Sequence, residues 1–251
     1  MKQIILILSI LLTFTVNVFA AEFTDDVYED TPAEKMAEEP LKEEPSDTEL
    51  KKDALGEIVS EINSMSNDEE KVKAWAKFNK EKNYLIINKK ECSATVYDTD
   101  GNEIANFEVG IGTEKGDDYN DTKGVLGKAK NTTPAGEFTL IPNIYNKAAY
   151  GDITLSLGDK ANKAQNTKKM VALHKVPKFR QEARLKKFYD GNLTNNRMSH
   201  GCINFVEDDF KELTKYIKGG FKTYILPEEE GNELMLTKND KDKYELAQTK
   251  Y

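Results

Sequence analysis

Histidine and cysteine are scarce in this sequence, two of each among 251 residues. That scarcity excludes several chemistries. A zinc centre needs three or four nitrogen or sulfur ligands at usable spacing, and His174, His200 and Cys202 with a remote Cys92 do not provide them. Two cysteines form at most one disulfide, so the chain is not a cysteine-stapled scaffold. After the first twenty residues there is no second long apolar run of the kind that spans a bilayer. No stripe of Lys and Arg with interleaved aromatics points to nucleic acid. No repeated unit points to a solenoid.

What is present is unevenly distributed. Lys2 followed by the apolar stretch Ile4 to Val18, and small residues at Val18-Phe19-Ala20-Ala21, reads as an export signal over residues 1–20 cleaved after Ala20. The alternative is an uncleaved N-terminal anchor. No cysteine follows the apolar stretch, which argues against lipid attachment. The formal charge of the chain is −8, and Ala21 to Leu50 alone carries 12 acidic and 2 basic side chains. The remainder is near neutral. Glu22 to Asp47, acidic and interrupted by Pro32, Pro40 and Pro45, has too few large apolar residues to offset ordering entropy and reads as a disordered linker, residues 21–47.

Residues 48–82 carry helical stripes: Leu55, Ile58, Val59 and Ile62, then Val72, Trp75 and Phe78. From Asn83 the period shortens. Tyr84 to Asn88, Ser93 to Tyr97, Ile104 to Ile111, Gly136 to Ile141, Met170 to His174 and Phe221 to Leu226 read as strands, with Asp98 to Asn102 as a turn. Asp208 to Lys218 reads as a helix with Phe210, Leu213 and Ile217 on one face. Gly112 to Asn131 reads as a surface loop, and the basic stretch Lys175 to Arg197 as irregular or partly helical, bordering whatever cleft lies between its ends. Residues 228–251 read as a polar tail. The expected fold is mainly β, a sandwich or small barrel with one or two helices, preceded by an N-terminal helical segment.

The stretch Ser199-His200-Gly201-Cys202-Ile203-Asn204 carries the chemistry. A thiolate nucleophile needs a nearby base or positive dipole, and Gly201 permits a tight backbone approach. Backbone N–H groups near Gly201 and Cys202 would then face an oxyanion. His174 ends an apolar run that places it at a strand end. The competing readings are a Cys92–Cys202 disulfide, a packed and inert Cys202, and His200 rather than His174 as the base.

At these residues the sequence resembles the L,D-transpeptidase catalytic domain, the YkuD-type family: Ser199, Gly201, Cys202, Ile203 and Asn204 behind an upstream His174, with Asn196-Arg197 just before. Thr133-Pro134-Ala135-Gly136-Glu137-Phe138 is similar to a second family element, the Thr-Pro-x-Gly-x-Phe turn into a strand. The resemblance covers roughly Asn83 to Leu226, which marks residues 83–227 as the catalytic domain. Lys175 stands where many members have glycine after the histidine, and the gap from His174 to Ser199 is long. The resemblance implies that Cys202 is the nucleophile, His174 the general base, and Ser199 and Gly201 the frame of the nucleophile turn. It further implies that Arg197 pairs with a stem-peptide carboxylate, His200 supports or orients, and Asn204 orients backbone or substrate. The substrate would be a peptidoglycan stem peptide, attacked without metal or organic cofactor to give a thioester that a second stem resolves as a 3→3 cross-link. Rival readings are an L,D-carboxypeptidase, in which water resolves the thioester, and a non-catalytic wall-binding module. A papain-like amidase has its cysteine before its histidine, the reverse of the order here.

Overall fold

A computed structural model describes residues 47–117, 131–143, 150, 154–157, 171–192, 196–217 and 220–250. The export signal, the acidic stretch up to residue 46 and most of the expected loop over residues 112–131 lie outside these residues.

The strands form two main sheets that share one core. The first has the order β3 (Glu103–Glu108), β2 (Ser93–Asp98), β1 (Asn83–Asn88), β11 (Lys222–Ile225), β5 (Gly136–Thr139). The second has the order β10 (Ile203–Phe205), β8 (Ala172–Lys175), β7 (Thr154–Ser156), β6 (Ile141–Asn143). Leu85, Ile87, Val96, Phe107 and Phe138 from the first meet Leu155, Leu173, Ile203 and Phe205 from the second. The expected β-sandwich is therefore the observed architecture.

Tyr84 to Ile87 is an unbroken apolar run because both faces of β1 are covered, as in sheets sandwiched between layers. Leu85 and Ile87 enter the shared core. Tyr84 and Ile86 enter a second core on the outer face of the first sheet. Helices α1 (Asp47–Ser64) and α2 (Asp68–Phe78) supply Val59, Ile62, Val72 and Trp75 to it. Helix α2 starts where Asn67 Oδ1 accepts from the N–H groups of Glu69 and Glu70, with Asp68, Glu69 and Glu70 in the first turn favouring the positive end of the helix dipole.

Several boundaries differ from the sequence reading. The strand expected over Ile104 to Ile111 stops at Glu108, because Gly110 turns away to exchange two backbone hydrogen bonds with Asn204, at 2.8 and 2.7 Å. Ile111–Gly112 (β4) then pairs in parallel with Arg197–Ser199 (β9). The strand expected over Gly136 to Ile141 divides at Leu140, where the chain passes from one sheet to the other. The basic stretch after His174 folds into a short 3-10 turn (Lys178–Arg180) and helix α3 (Gln181–Phe188). The later helix is α4 (Glu207–Tyr216).

Residues 228–250, expected as part of a polar tail, fold onto the domain. Asn232–Lys238 (β12) and Tyr244–Lys250 (β13) form a hairpin. Its buried face is Leu234, Leu236 and Leu246, which complete the second core. The alternation is only three apolar residues deep and is flanked by Lys, Asp and Glu, so composition masks it. No helix of the described residues is long and apolar enough to cross a membrane.

Candidate active site

Strand alternation sets the site. On β8 and β10, Leu173, Ile203 and Phe205 face the shared core. Residues at the alternate positions, Ala172, His174, Cys202 and Asn204, therefore lie on the opposite face of the same sheet. The strands are parallel neighbours with Asn204 opposite His174, so Cys202, two residues earlier, is diagonal to the imidazole. The two residues read as base and nucleophile are thus brought to one face of adjacent strands. His200, one residue beyond β9, is exposed.

The turn that carries Cys202 is held by hydrogen bonds to buried groups. Ser199 Oγ donates to the Cys202 carbonyl at 2.5 Å and accepts from Gly201 N–H at 3.0 Å. Gly201 has φ +111°, a conformation glycine adopts without penalty. Thr133 Oγ1 donates to the Gly201 carbonyl at 3.0 Å and accepts from Gly112 N–H at 2.9 Å. Gly112 must be glycine for lack of space, since a Cβ there would stand 2.2 Å from the Asn131 carbonyl oxygen. Here the two sequence elements meet: the Thr-Pro turn exists partly to hold the Ser-His-Gly-Cys turn. One expectation needs correcting. The Gly201 N–H, read as an oxyanion donor, is committed to Ser199.

His174 is buried, and its Nδ1 lies 2.7 Å from the Lys175 carbonyl oxygen. A carbonyl only accepts, so Nδ1 carries the hydrogen and Nε2 is the basic nitrogen of the neutral ring. The Tyr150 ring packs on the imidazole at 4.4 Å between centroids, and Phe179 packs on Tyr150 at 6.5 Å. Burial pushes the His174 pKa down to about 4; the Lys175 carbonyl opposes this and Arg184 adds to it. Burial pushes the Cys202 thiol up, opposed by a backbone hydrogen bond from Ala172 and by the positive charge of Arg184. Near neutral pH the pair is therefore thiol and neutral imidazole rather than a preformed ion pair.

Arg184 is one of the cations of the basic stretch expected to border the cleft, and the sequence does not set it apart from the others. It sits on α3 among basic neighbours with nothing local to mark it. Its Nη1 donates to Asn204 Oδ1 at 2.5 Å, and Asn204 Nδ2 donates to the Cys202 carbonyl at 3.4 Å. Arg197 is placed differently from the carboxylate partner expected for a substrate. Its guanidinium is paired with buried Glu228 and donates to the carbonyls of Gly112 and Glu114 at 3.4 and 3.3 Å. Cys92 and Cys202 are not joined to each other, which closes the disulfide reading.

The family model of the L,D-transpeptidase catalytic domain (YkuD) matches residues 82–225. No curated protein matches the chain. Solved structures with similarity include Bd1075 of Bdellovibrio bacteriovorus, 20% identical, TM-score 0.38, covering 60% of this chain and 49% of that one. The helical cell shape determining protein Pgp2 of Campylobacter jejuni (K307A mutant) is 17% identical, TM-score 0.40, over 60% of this chain and 49% of that one. The catalytic domain of the Enterococcus faecium L,D-transpeptidase is 19% identical, TM-score 0.35, over 57% of this chain and 95% of that one. The alignments thus span about half the length of the first two.

Proposed function

The chain belongs to the L,D-transpeptidase catalytic-domain family, and from that premise we propose that it is an exported cysteine acyltransferase that joins peptidoglycan stem peptides by 3→3 cross-links. The observation that supports this reading is that Cys202, on the turn just before β10, and His174, on its parallel neighbour β8, lie on one face of the sheet, with that turn held by Ser199 and Thr133.

The steps follow from those atoms. Cys202 Sγ attacks the carbonyl of the peptide bond before a terminal D-residue while its proton passes to His174 Nε2. The imidazolium returns that proton to the leaving amine as the C–N bond breaks. A thioester on Cys202 remains. The side-chain amine of a second stem then attacks it, giving its proton to His174, and the thiol is restored. Burial of the pair disfavours a standing charge on either partner, so the reaction depends on concerted transfer. Arg184 offsets part of that cost for the sulfur alone, because a positive charge favours thiolate and disfavours imidazolium.

Incubation with disaccharide-tetrapeptides tests the proposal by mass: cross-linked dimers support it, tripeptides alone would assign the acceptor to water, and unchanged substrate would refute both. The role given to Arg184 has its own test. Arg184→Gln is expected to lower kcat/KM about tenfold or more and to move the pH midpoint for alkylation of Cys202 upward, with Arg184→Lys intermediate. Lys186→Gln with Lys187→Gln, on the outer part of α3, is expected to change only KM and its salt dependence. An unchanged alkylation midpoint in Arg184→Gln would remove Arg184 from the mechanism.

A further inference from the structure

The family match ends at Ile225, yet the residues that follow reach back to Arg197, two residues before Ser199 in the nucleophile turn. Four charged side chains meet behind that turn: Lys89, Asp117, Arg197 and Glu228, with side-chain exposures of 0, 0, 15 and 2%. Two are cationic and two anionic, so the cluster is neutral. Lys89 Nζ is paired with Asp117, lies 3.8 Å from Glu228, and donates to the carbonyls of Gly116 and Thr133, each at 2.8 Å. Asp117 accepts from the N–H groups of Glu228 and Glu229 and from Asn232 Nδ2, each at 2.8 Å. Glu228 accepts from Gly116 N–H at 3.1 Å and is paired with Arg197.

Two routes run from this cluster to Cys202. The first passes through Lys89 to Thr133, whose hydroxyl holds the Gly201 carbonyl. The second passes through Arg197 on β9 to Ser199, two residues on, whose hydroxyl holds the Cys202 carbonyl. Both routes depend on Glu228 and on the backbone after it. A buried ion cluster is a poor source of stability, since desolvation offsets most of the attraction. An apolar plug would close the same space. What four charges add is direction: each fixes a carbonyl or N–H that in turn fixes the turn.

We infer that Glu228 to Asn232, the segment that follows the family domain, is a positioning element for the nucleophile turn, with Glu228 as its principal residue. It touches neither Cys202 nor His174 and acts through Lys89, Arg197, Thr133 and Ser199. The inference rests on the reading of Cys202 as the nucleophile, but its test does not require stem-peptide turnover.

The test compares the full chain with Glu228→Gln, Glu228→Asp and Asn232→Ala. Two rates are read at a temperature where circular dichroism shows each protein folded: iodoacetamide alkylation of Cys202, followed by mass, and kcat with KM on a tetrapeptide stem. Glu228→Gln is expected to slow alkylation and kcat about tenfold or more with KM changed less than twofold, and Glu228→Asp to recover part of the loss. Asn232→Ala removes one of the four hydrogen bonds to the Asp117 carboxylate, together with the one to Glu229, and is expected to act in the same direction but less. It stands as the deciding variant if Glu228→Gln does not fold. Unchanged alkylation in the folded variants would overturn the inference, as would a loss that only follows the unfolded fraction. Failure of turnover in the unmodified protein, with alkylation still sensitive to Glu228, would instead count against the proposed reaction.

Discussion

Alanine in place of Cys202 is expected to leave the fold standing and the reaction undetectable. The side chain is half-buried at the edge of its sheet and contributes one sulfur atom to packing, so the change in stability should stay within about 1 kcal/mol. No other described thiol can replace it. Cys92 is enclosed in the shared core, in the left-handed backbone region at φ 51°, with burial pushing its pKa up to about 11. Its Sγ is directed at the Lys89 carbonyl oxygen at 3.7 Å. Cys92→Ala is therefore expected to retain turnover, and iodoacetamide at neutral pH to label Cys202 in preference to Cys92. Two measurements decide: muropeptide products by mass, and the site of alkylation by peptide mapping. Turnover in Cys202→Ala, or an equal loss in Cys92→Ala, would assign the chemistry elsewhere.

How much of this was legible in the sequence depends on how local the signal is. The strands of the sandwich were legible because alternation and length are local properties: Tyr84 to Asn88, Ser93 to Tyr97 and Phe221 to Leu226 fall within a residue or two of β1, β2 and β11. The hairpin β12–β13 was not, because its three buried leucines become apolar signal only once the helices α1 and α2 define a surface for them. Strand β7 also escaped notice, being three residues long. Within the site, Ser199, Gly201 and Cys202 were legible as a contiguous motif. Thr133 was legible as part of a second element, but its contact with Gly201 spans 68 residues and belongs to the fold. Arg184 was legible only as one of several cations in the basic stretch expected to border the cleft, and Glu228 was not legible. An arginine among lysines and a glutamate in a run of three carry no local mark, and each finds its partner, Asn204 or Arg197, only in the fold. Arg197 shows the converse: its place beside the motif suggested a substrate contact, whereas its position on β9 gives it Glu228.

The neutral state of the Cys202–His174 pair also bears on that division. No feature of the sequence announces that His174 is buried against Tyr150, and a histidine read from sequence carries its ordinary pKa of about 6.5. Burial changes what the residue does with pH more than the choice of residue does. A cysteine–histidine ion pair would be lost on the acid side as its thiolate takes up a proton and on the alkaline side as its imidazolium loses one. A neutral pair is lost on the acid side as the imidazole itself is protonated, which burial moves down to about pH 4 for His174.

His174→Ala should therefore show the second large effect and a distinctive pH signature. General-base catalysis contributes about 10²- to 10⁴-fold, and removing the imidazole is expected to cost kcat/KM at least that much. His200→Ala should cost far less, since His200 is exposed while His174 occupies the same sheet face as Cys202. In the unmodified protein the acid limb of kcat/KM, which reports the free enzyme, is expected near pH 4, following the lowered His174 pKa. The profile should be flat through pH 5 to 7, where an exposed imidazole would titrate. Stability must follow the same group. The folded pKa lies below the unfolded one, so the unfolded chain binds the proton first; stability is complete above about pH 6.5 and falls as pH drops toward 4, by about 3 kcal/mol in all. His174→Gln, which cannot titrate, is expected to lose that part of the acid destabilisation and to melt with a shallower pH dependence between 6.5 and 4. Urea unfolding of both proteins across that range, set beside their kcat/KM profiles, is the check. An acid limb near pH 6.5, together with parallel stability curves for the two proteins, would show that His174 titrates as an exposed imidazole and that the concerted transfer assigned to it does not operate.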